Sequence, residues 1–565
     1  MRLNGSGRPR AAATAATVPS MTTRMLRNVT VSVAALTLIC ASCSSGGSSD
    51  GQAEATTTAA APTTIARPAG PSAKVATLTG GKGIQLLSPT PGPDLDEAGY
   101  LEQEYSASGT ATAYALAGGA KAFPRNGEMT LTPTSKAGYT TRFVVRRPKN
   151  PDDFNGTVVV EWNNVSGGLD VAPDWTYTAD EIVRSGFAWV GVSTQMIGIE
   201  GGPVAVSTPV SEMGGAGKGI KSLDPARYGG LHHPGDAYSY DIYTQVARAL
   251  RANTGAVKPL GYLRPEHVLA MGESQSAYAL TTYYDGVQPL TGAFDGFLVH
   301  SRGGAALPLG EPGEPTDISS AVTSTVPVEF RTDLSAPVIA VETETDVVGI
   351  LKYLPARQAD NAHLRVWEVA GTAHVDLYQL GEAVAKLFAC PGGVNAGPDH
   401  FVVAAALAKL QAWVTRGTAP PRGDRLRVNA QETDYVRDAA GIAAGGIRTP
   451  EVDVPVDLLS GLPPADSGDA SVACLLAGST TPIPAADLAK RYDSRAAYLA
   501  AYEAATDKAI DAGFVLPADR QAMLDDAQPG RIPAADGSPS QTSTPEHAPS
   551  APATTDAGHR DRSQK

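Results

Sequence analysis

Cysteine and charge are both scarce in this chain, which has four Cys among 565 residues and only 18% charged residues. Basic residues are outnumbered, because 45 Lys and Arg stand against 58 Asp and Glu and the formal charge is -13. Basic runs are absent beyond the extreme N-terminus. Since nucleic-acid binding depends on neutralised phosphates, this balance argues against a nucleic-acid partner. An apolar share of 42% nevertheless allows a large core in one or two domains.

Long apolar runs are scarce as well, and the one that stands out lies near the N-terminus. Residues 29–40 are mainly apolar, follow two arginines and lead into small residues that end at Cys43. This arrangement is typical of a secretory signal peptide and is too short for a membrane span. Residues 1–43 are therefore predicted to be a targeting segment, with Met21 or Met25 as an alternative start.

The sequence around Cys43 resembles the cleavage box of bacterial lipoproteins, although the usual Leu three residues earlier is missing. Two fates stay open, which are lipid anchoring to the cell envelope through Cys43 and simple secretion. Either fate places the mature chain in an oxidising compartment, where Cys390 and Cys474 are its other cysteines. These two are predicted to form a disulfide, and the alternative is two separate buried thiols.

Bulky apolar side chains nearly disappear from two stretches, residues 44–74 and 528–565, where small and polar residues and Pro dominate. Such stretches bury too little surface to offset the loss of chain entropy. They are predicted to be a flexible linker and a disordered tail. Residues 75–527 are predicted to fold, with a C-terminal extension from about residue 418 whose packing does not follow from the sequence.

Short β-branched runs alternate with helical segments in the folded part, which predicts an α/β fold with a mostly parallel sheet and helices on both faces. The β-rich start of the domain predicts antiparallel edge strands. The two clearest helices are predicted over residues 238–250 and 401–414. The predicted strands of the sheet cover residues 139–147, 156–162, 187–193, 267–272, 294–300, 337–342 and 364–370.

One of these strands runs directly into the sequence GESQS and then into a helix-prone segment. The order of strand, tight turn and helix is typical of a nucleophile elbow, with Ser274 on the turn. Small residues at Gly272 and Ser276 let strand and helix approach closely, although Ser276 replaces the usual final Gly. On its own, such a motif is weak evidence for a functional serine in a chain with 59 Gly. Its position between a predicted strand and a predicted helix makes the evidence stronger.

A serine hydroxyl needs a base to act as a nucleophile, and histidine is the usual one. His374 follows the last predicted strand, in the loop GTAHVD, where the carboxyl ends of parallel strands meet. It is the predicted base. His300 and His233 are predicted to be hydrogen-bonded or pocket-lining imidazoles. The group of His232, His233 and Asp236 has no recognised ligand spacing, so no metal site is predicted.

An acid that orients the base is expected after the strand that precedes the His374 strand. Glu342, Glu344 and Asp346 follow one another there. Asp346 is favoured because it lies where the chain has left the strand, with Glu344 and Glu342 as alternative acids. Asp346 could instead cap the turn that follows it.

An oxyanion hole is expected from backbone N–H groups at two places. Gln275 supplies one because it follows the predicted nucleophile. The other is predicted from Asn164 or Val165, in an Asn- and Gly-rich loop after the second predicted strand. An ordinary turn would have the same composition.

The assembled motifs resemble a bacterial family known as alpha/beta hydrolase domain-containing proteins, over roughly residues 75–520. The resemblance rests on runs such as FNGTVVVEWNNVSGG, MGESQSAYAL and LRVWEVAGTAHVD. It implies an α/β-hydrolase fold and a serine hydrolase in which Ser274, His374 and an acid of the TETD run act together. It also implies that residues 196–236 and 305–334 shape the pocket.

These observations lead to an exported serine hydrolase that cleaves a carboxylic ester without a cofactor. Two alternatives stay open, which are an acyltransferase with the same site and a non-catalytic envelope lipoprotein that binds a ligand on a hydrolase scaffold. The expected partner is a small-molecule ester. Membrane contact is expected only through a lipid anchor.

Overall fold

The computed structural model describes residues 69–87, 90, 92–465, 467–468 and 470–533. The predicted targeting segment with Cys43, and most of the predicted linker and tail, lie outside these residues. Within the part that is described, no helix combines the length and the apolar character needed to cross a bilayer.

A nine-stranded sheet forms the centre of the fold, in the order β1-β2-β3-β5-β4-β6-β7-β8-β9. The strands are β1 (Lys74–Thr77), β2 (Tyr100–Leu116), β3 (Leu131–Pro148), β4 (Thr157–Trp162), β5 (Ala188–Val192), β6 (His267–Glu273), β7 (Gly296–His300), β8 (Val338–Thr343) and β9 (Leu364–Val369). The first three pair antiparallel, β3 also pairs antiparallel with β5, and β4 to β9 are mutually parallel. All seven predicted strands and the predicted antiparallel edge are therefore present.

Helices follow most of the parallel strands and connect them. They are α1 (Pro173–Arg184), α2 (Met196–Glu200), α3 (Pro209–Met213), α4 (Gly219–Leu223), α5 (Pro225–Tyr228), α6 (Ser239–Ala252), α7 (Gln275–Thr282), α8 (Gln288–Thr291), α9 (Ile318–Val322), α10 (Glu344–Val348), α11 (Leu377–Phe388), α12 (Asp399–Arg416), α13 (Pro450–Asp453), α14 (Val472–Leu476), α15 (Ala485–Arg491), α16 (Arg495–Asp511) and α17 (Arg520–Asp525). The two clearest sequence predictions correspond to α6 and α12.

Both faces of the sheet are apolar, because each parallel strand is covered on two sides. In β4, Val158 and Val160 pack in the cluster that contains α6 and α7, whereas Val159 packs in the cluster that contains α1 and α12. Successive strand residues point to opposite faces, so an unbroken apolar run serves both layers. This explains why the strands show little alternation in sequence.

The folded chain extends beyond the predicted limits of 75–527 at both ends. Lys74, the last residue of the predicted linker, begins β1 and pairs with Ser108. Ile532, inside the predicted tail, is fully buried and packs in a small cluster with Tyr498 and Tyr502. The composition of the chain did not predict these limits, because a short polar segment can be ordered by packing onto a core that other residues form.

The C-terminal extension packs onto the hydrolase fold and carries a hairpin of β10 (Asp457–Ser460) and β11 (Ser479–Pro482). Ala509, Val515 and Met523 form a cluster with Phe401 of α12, which joins the last helices to the central layers. The predicted disulfide between Cys390 and Cys474 is present and connects the end of α11 to α14.

Candidate active site

Ser274 lies on the sharp turn between β6 and α7, with φ 58° and ψ -125°. A positive φ is strained for a residue with a side chain, and such strain is common where a fold has to present a reactive group. The close approach of strand and helix leaves no room at Gly272, where a Cβ atom would lie 2.9 Å from the Ser276 Cβ. The predicted order of strand, tight turn and helix is therefore present, and the Ser274 side chain is partly exposed.

His374 reaches Ser274 from a loop after β9. Its Nε2 lies 2.7 Å from the Ser274 Oγ, and its Nδ1 lies 2.8 Å from the Asp346 Oδ1. With a carboxylate accepting from Nδ1–H, Nε2 carries the lone pair that accepts the serine proton. The three side chains form one hydrogen-bonded line that ends at the Ser274 oxygen.

Asp346 has two hydrogen-bonding roles at once. One oxygen accepts from His374, and the other accepts from both the backbone N–H and the hydroxyl of Thr343, each at 2.7 Å. The contact with the Thr343 N–H is one half of a capping box at the start of α10, in which the Thr343 side chain also accepts from the Asp346 backbone N–H. Asp346 therefore caps the helix that contains it and not a turn that follows it, and this cap occurs together with the histidine contact.

The two alternative acids lie near the site and contact other groups. Glu344 accepts from the backbone N–H groups of Gly371 at 2.6 Å and Gly461 at 3.0 Å, so it links the loop before His374 to the C-terminal extension. Glu342 is fully buried, and its carboxyl oxygens have no hydrogen-bond partner within the described residues. Burial raises the pKa of Glu342 well above its usual value.

The electrostatic surroundings of His374 favour its charged form. Burial lowers the pKa of His374, but Asp346 and Glu273 raise it, and the net direction is upward. The two neighbouring carboxyl groups therefore favour the protonated His374 ring over the neutral one.

The predicted oxyanion donors are only partly available. Gln275 is the first residue of α7, where a helix leaves the N–H without an intrahelical acceptor. The Asn164 N–H donates to the Val171 carbonyl at 2.8 Å, so that proposed donor is already engaged. The Val165 N–H donates to the Gln275 Oε1 at 3.2 Å.

Glu273, directly before the elbow serine, was missed by the sequence reasoning. It is 3% exposed, and its Oε1 lies 3.4 Å from the His374 Nε2. The signal was present in the sequence, since β6 is otherwise apolar after its first residue and Glu273 interrupts it beside the motif serine.

His300 and His233 do not line the cavity at Ser274. The His300 ring lies between Asp174, at 2.9 Å, and Asp399, at 3.1 Å, and it is buried. His233 is also buried, and its Nε2 lies 2.8 Å from the Thr194 carbonyl. Both histidines were predicted to be either hydrogen-bonded or pocket-lining, and both are hydrogen-bonded and lie away from this cavity.

A cavity of about 140 Å3 opens beside Ser274 and His374. Its walls are mostly apolar, with contributions from α11 and α14; the lining residues include Leu87, Val171, Val206, Val375, Leu380, Val384, Phe388, Ala473 and Leu476. Residues 196–236 contribute to the wall, as predicted. Residues 305–334 contribute nothing to it and instead line a separate cavity of about 680 Å3, so that prediction is wrong.

Among the residues that the structure describes, no group of three or more His, Cys, Asp or Glu side chains could hold a metal ion. His232 lies at the surface, 3.8 Å from Glu200, while His233 turns inward.

A family model described as Alpha/beta hydrolase domain matches residues 65–525. No curated protein matches the sequence. Similar solved structures include one of two fungal esterases from Rhizomucor miehei, with 10% identity, 55% of this chain and 85% of that chain covered, and a TM-score of 0.28. An alpha-beta serine hydrolase homologue from Coxiella burnetii has 12% identity, coverages of 44% and 90%, and a TM-score of 0.25. A glucuronoyl esterase from Solibacter usitatus has 9% identity, coverages of 54% and 83%, and a TM-score of 0.24.

Proposed function

The chain belongs to the alpha/beta hydrolase domain family, and from that premise we propose that it is an exported serine hydrolase that cleaves a carboxylic ester. The observation that carries the proposal is the line from Ser274 through His374 to Asp346, with contacts of 2.7 and 2.8 Å. A scaffold that only bound a ligand would have no need for a strained serine within reach of an oriented imidazole.

In the proposed reaction, the Ser274 oxygen attacks the acyl carbon while its proton moves to the His374 Nε2. The alcohol then leaves with that proton, and the acyl group stays on Ser274 as an ester. Water attacks this acyl-enzyme, gives its proton to His374 and releases the carboxylic acid as the proton returns to Ser274. Asp346 keeps the imidazole in the tautomer that this sequence requires.

The oxyanion of each tetrahedral intermediate needs hydrogen-bond donors. We assign the Gln275 N–H as one donor because it opens α7 and has no acceptor within the helix. The Val165 N–H is the second, and the substrate oxygen would replace the Gln275 Oε1 as its acceptor.

The cavity supports a substrate with a compact apolar acyl or alkyl group. About 140 Å3 lined mainly by Leu, Val, Phe and Ala side chains suits a short hydrocarbon group better than a sugar, which needs many polar partners. Short-chain nitrophenyl esters are therefore the first substrates to assay.

A fluorophosphonate probe tests the proposal directly, because it labels activated serines. The wild type should be labelled and Ser274→Ala should not. Ser276→Ala is the matched control, since this buried hydroxyl lies two residues away and has no hydrogen-bond partner in the described part of the chain. An unlabelled wild type, or equal labelling of Ser274→Ala, would refute the proposal. Analysis of the products formed in the presence of an added alcohol distinguishes hydrolysis from acyl transfer.

Export is supported by the N-terminal sequence pattern and by the disulfide, which forms in oxidising compartments. We propose that the mature chain is either lipid-anchored at Cys43 or secreted. Intact mass of the mature protein, with Cys43→Ala as the control, distinguishes the two: a lipidated wild type carries extra mass that the variant lacks. A full-length chain retained inside the cell would contradict export.

A further inference from the structure

Glu273 lies at the point where the cavity, the nucleophile and the base meet. It lines the cavity together with Ser274, and its Oε1 lies 3.4 Å from the His374 Nε2, the atom that faces the serine. The Asn164 side-chain amide holds it from the other side, with Nδ2 at 3.2 Å from the Glu273 carbonyl and 3.4 Å from Oε2. The carboxyl group is therefore fixed beside a reacting atom.

The surroundings of this carboxyl group place its titration near neutrality. Burial raises the pKa of Glu273 to about 7, and the neighbouring His374 and His300 oppose the rise. Asp174 and Asp346 are the other charged groups that act on it, and both push the pKa upward. Glu273 and His374 are titratable groups only 3.4 Å apart, so the protonation of each depends on the other.

The proposed mechanism uses Asp346 to orient His374 and gives Glu273 no part. When Ser274 loses its proton, a positive charge develops on the His374 ring, within 3.4 Å of the Glu273 oxygen. At a pH above the His374 pKa the ring of the resting enzyme is neutral, so a carboxylate there attracts the positive charge that develops in the transition state more strongly than it attracts the resting ring. Interactions of this kind lower the barrier rather than merely improving substrate binding.

We propose that Glu273 is a second acidic residue of the active site, which stabilises the His374 imidazolium during acyl transfer and sets the pH at which His374 becomes a base. The inference rests on the proposed serine hydrolase function. Glu273 gains and loses no proton in the reaction, since the serine proton passes to His374 and then to the leaving alcohol.

The test is Glu273→Gln, which keeps the shape and removes the charge. The expected result is a shift of the acid limb of kcat/KM to lower pH by about one unit, with a plateau about tenfold lower, because one pKa unit corresponds to a factor of ten. A residue that only supported the fold would lower activity without moving the limb. An unshifted limb would overturn the inference.

Asp285→Asn is the matched control, because Asp285 is also a buried carboxyl group whose pKa burial raises, and it accepts from the Arg331 backbone instead of facing the cavity. Its pH profile should equal that of the wild type. Glu273→Asp, which keeps the charge at a greater distance from His374, should shift the acid limb of kcat/KM in the same direction but by less than Glu273→Gln does. This variant replaces Glu273→Gln in the test if Glu273→Gln does not fold.

An NMR titration of the His374 ring separates this inference from the proposed function. Its pKa should fall by about one unit in Glu273→Gln whether or not any ester is cleaved. A fall in that pKa with a serine that fluorophosphonate never labels would leave the contact supported and the hydrolase function refuted. An unchanged His374 pKa in a protein that is labelled normally would refute the role of Glu273 alone.

Discussion

The Ser274 backbone N–H donates to the His300 carbonyl at 3.0 Å, which ties the elbow to the end of the neighbouring strand β7. The His300 ring, in turn, lies between Asp174 at the start of α1 and Asp399 at the start of α12. One buried imidazole therefore joins two helices and the strand that supports the Ser274 turn. The stability of the Ser274 turn should depend on this cluster, although none of the three side chains lines the cavity.

Replacing His300 should destabilise the fold rather than the chemistry. In His300→Gln two buried carboxyl groups lose their cationic partner, and breaking a buried pair in this way costs about 3 to 5 kcal/mol. Urea unfolding measures the loss, and His232→Gln, at the exposed neighbour of His233, is the control expected to be neutral. A stability within about 0.5 kcal/mol of the wild type for His300→Gln would show that the cluster contributes little.

The same cluster predicts how stability changes with pH. Burial lowers the pKa of His300, but Asp174 and Asp399 raise it, so that it lies well above its usual value. Burial also raises the pKa of Asp174, yet two carboxyl groups flank one imidazole and the cation is favoured. The stabilisation should be complete below about pH 6.5 and lost as the pH rises through the folded-state pKa. The difference in unfolding free energy between wild type and His300→Gln should therefore shrink in alkaline buffer.

The sequence contained enough information to predict the sheet and the order of the candidate catalytic residues along the chain. β-branched runs predict the parallel strands, and the position of GESQS between β6 and α7 predicts the elbow. The contact between Ser274 and His374, a hundred residues apart, followed from the rule that parallel strands bring their carboxyl ends to one edge. The local motif and the strand order both place Ser274 and His374 at the same edge of the sheet, so the sequence was sufficient to predict their contact.

Other features depend on contacts that no local pattern records. Glu344 accepts from the backbone N–H of Gly461 in the extension, and the Asn395 side-chain amide donates to the carbonyls of Gly371 and Ser460. Through these hydrogen bonds the extension supports the loop that carries His374. Asn164 looked like a free donor in a turn, but its N–H is used in a bridge to Val171. Such pairings are decided by tertiary packing and could not be read from composition.

The disulfide should control the cavity as well as the stability. Cys390 follows α11 and Cys474 lies in α14, and both helices supply cavity wall residues such as Phe388 and Ala473. Removing the bridge with Cys390→Ala and Cys474→Ala should cost about 2 to 5 kcal/mol. The loosened wall should also reduce the preference for short acyl chains in a nitrophenyl ester panel. Unchanged chain-length selectivity in a variant that is folded but less stable would limit the bridge to a structural role.

The acyl preference should follow the size of the cavity. Leu380 lines it from α11, so Leu380→Ala should enlarge it and raise kcat/KM for longer acyl chains relative to short ones. One methylene in an apolar pocket is worth roughly 1 to 3 kcal/mol, or 10- to 200-fold in kcat/KM. Leu387→Ala is the control, because Leu387 lies on the same helix and is 48% exposed. Equal selectivity of both variants would place the acyl group elsewhere.

Asp346→Asn should abolish most activity with little loss of stability, because of how the two carboxylate oxygens are used. Thr343 supplies two donors to Oδ2, so an Asn must turn its carbonyl oxygen toward Thr343 and its amide toward His374. The amide donates to Nδ1, which forces the imidazole proton onto Nε2, where it points at the Ser274 oxygen and leaves no lone pair to accept the serine proton. This wrong tautomer should lower kcat by about ten-thousandfold. Asp346→Ala should lose the cap as well, at about 1 kcal/mol, so comparing urea unfolding and kcat for the two variants separates the capping role from the orienting role.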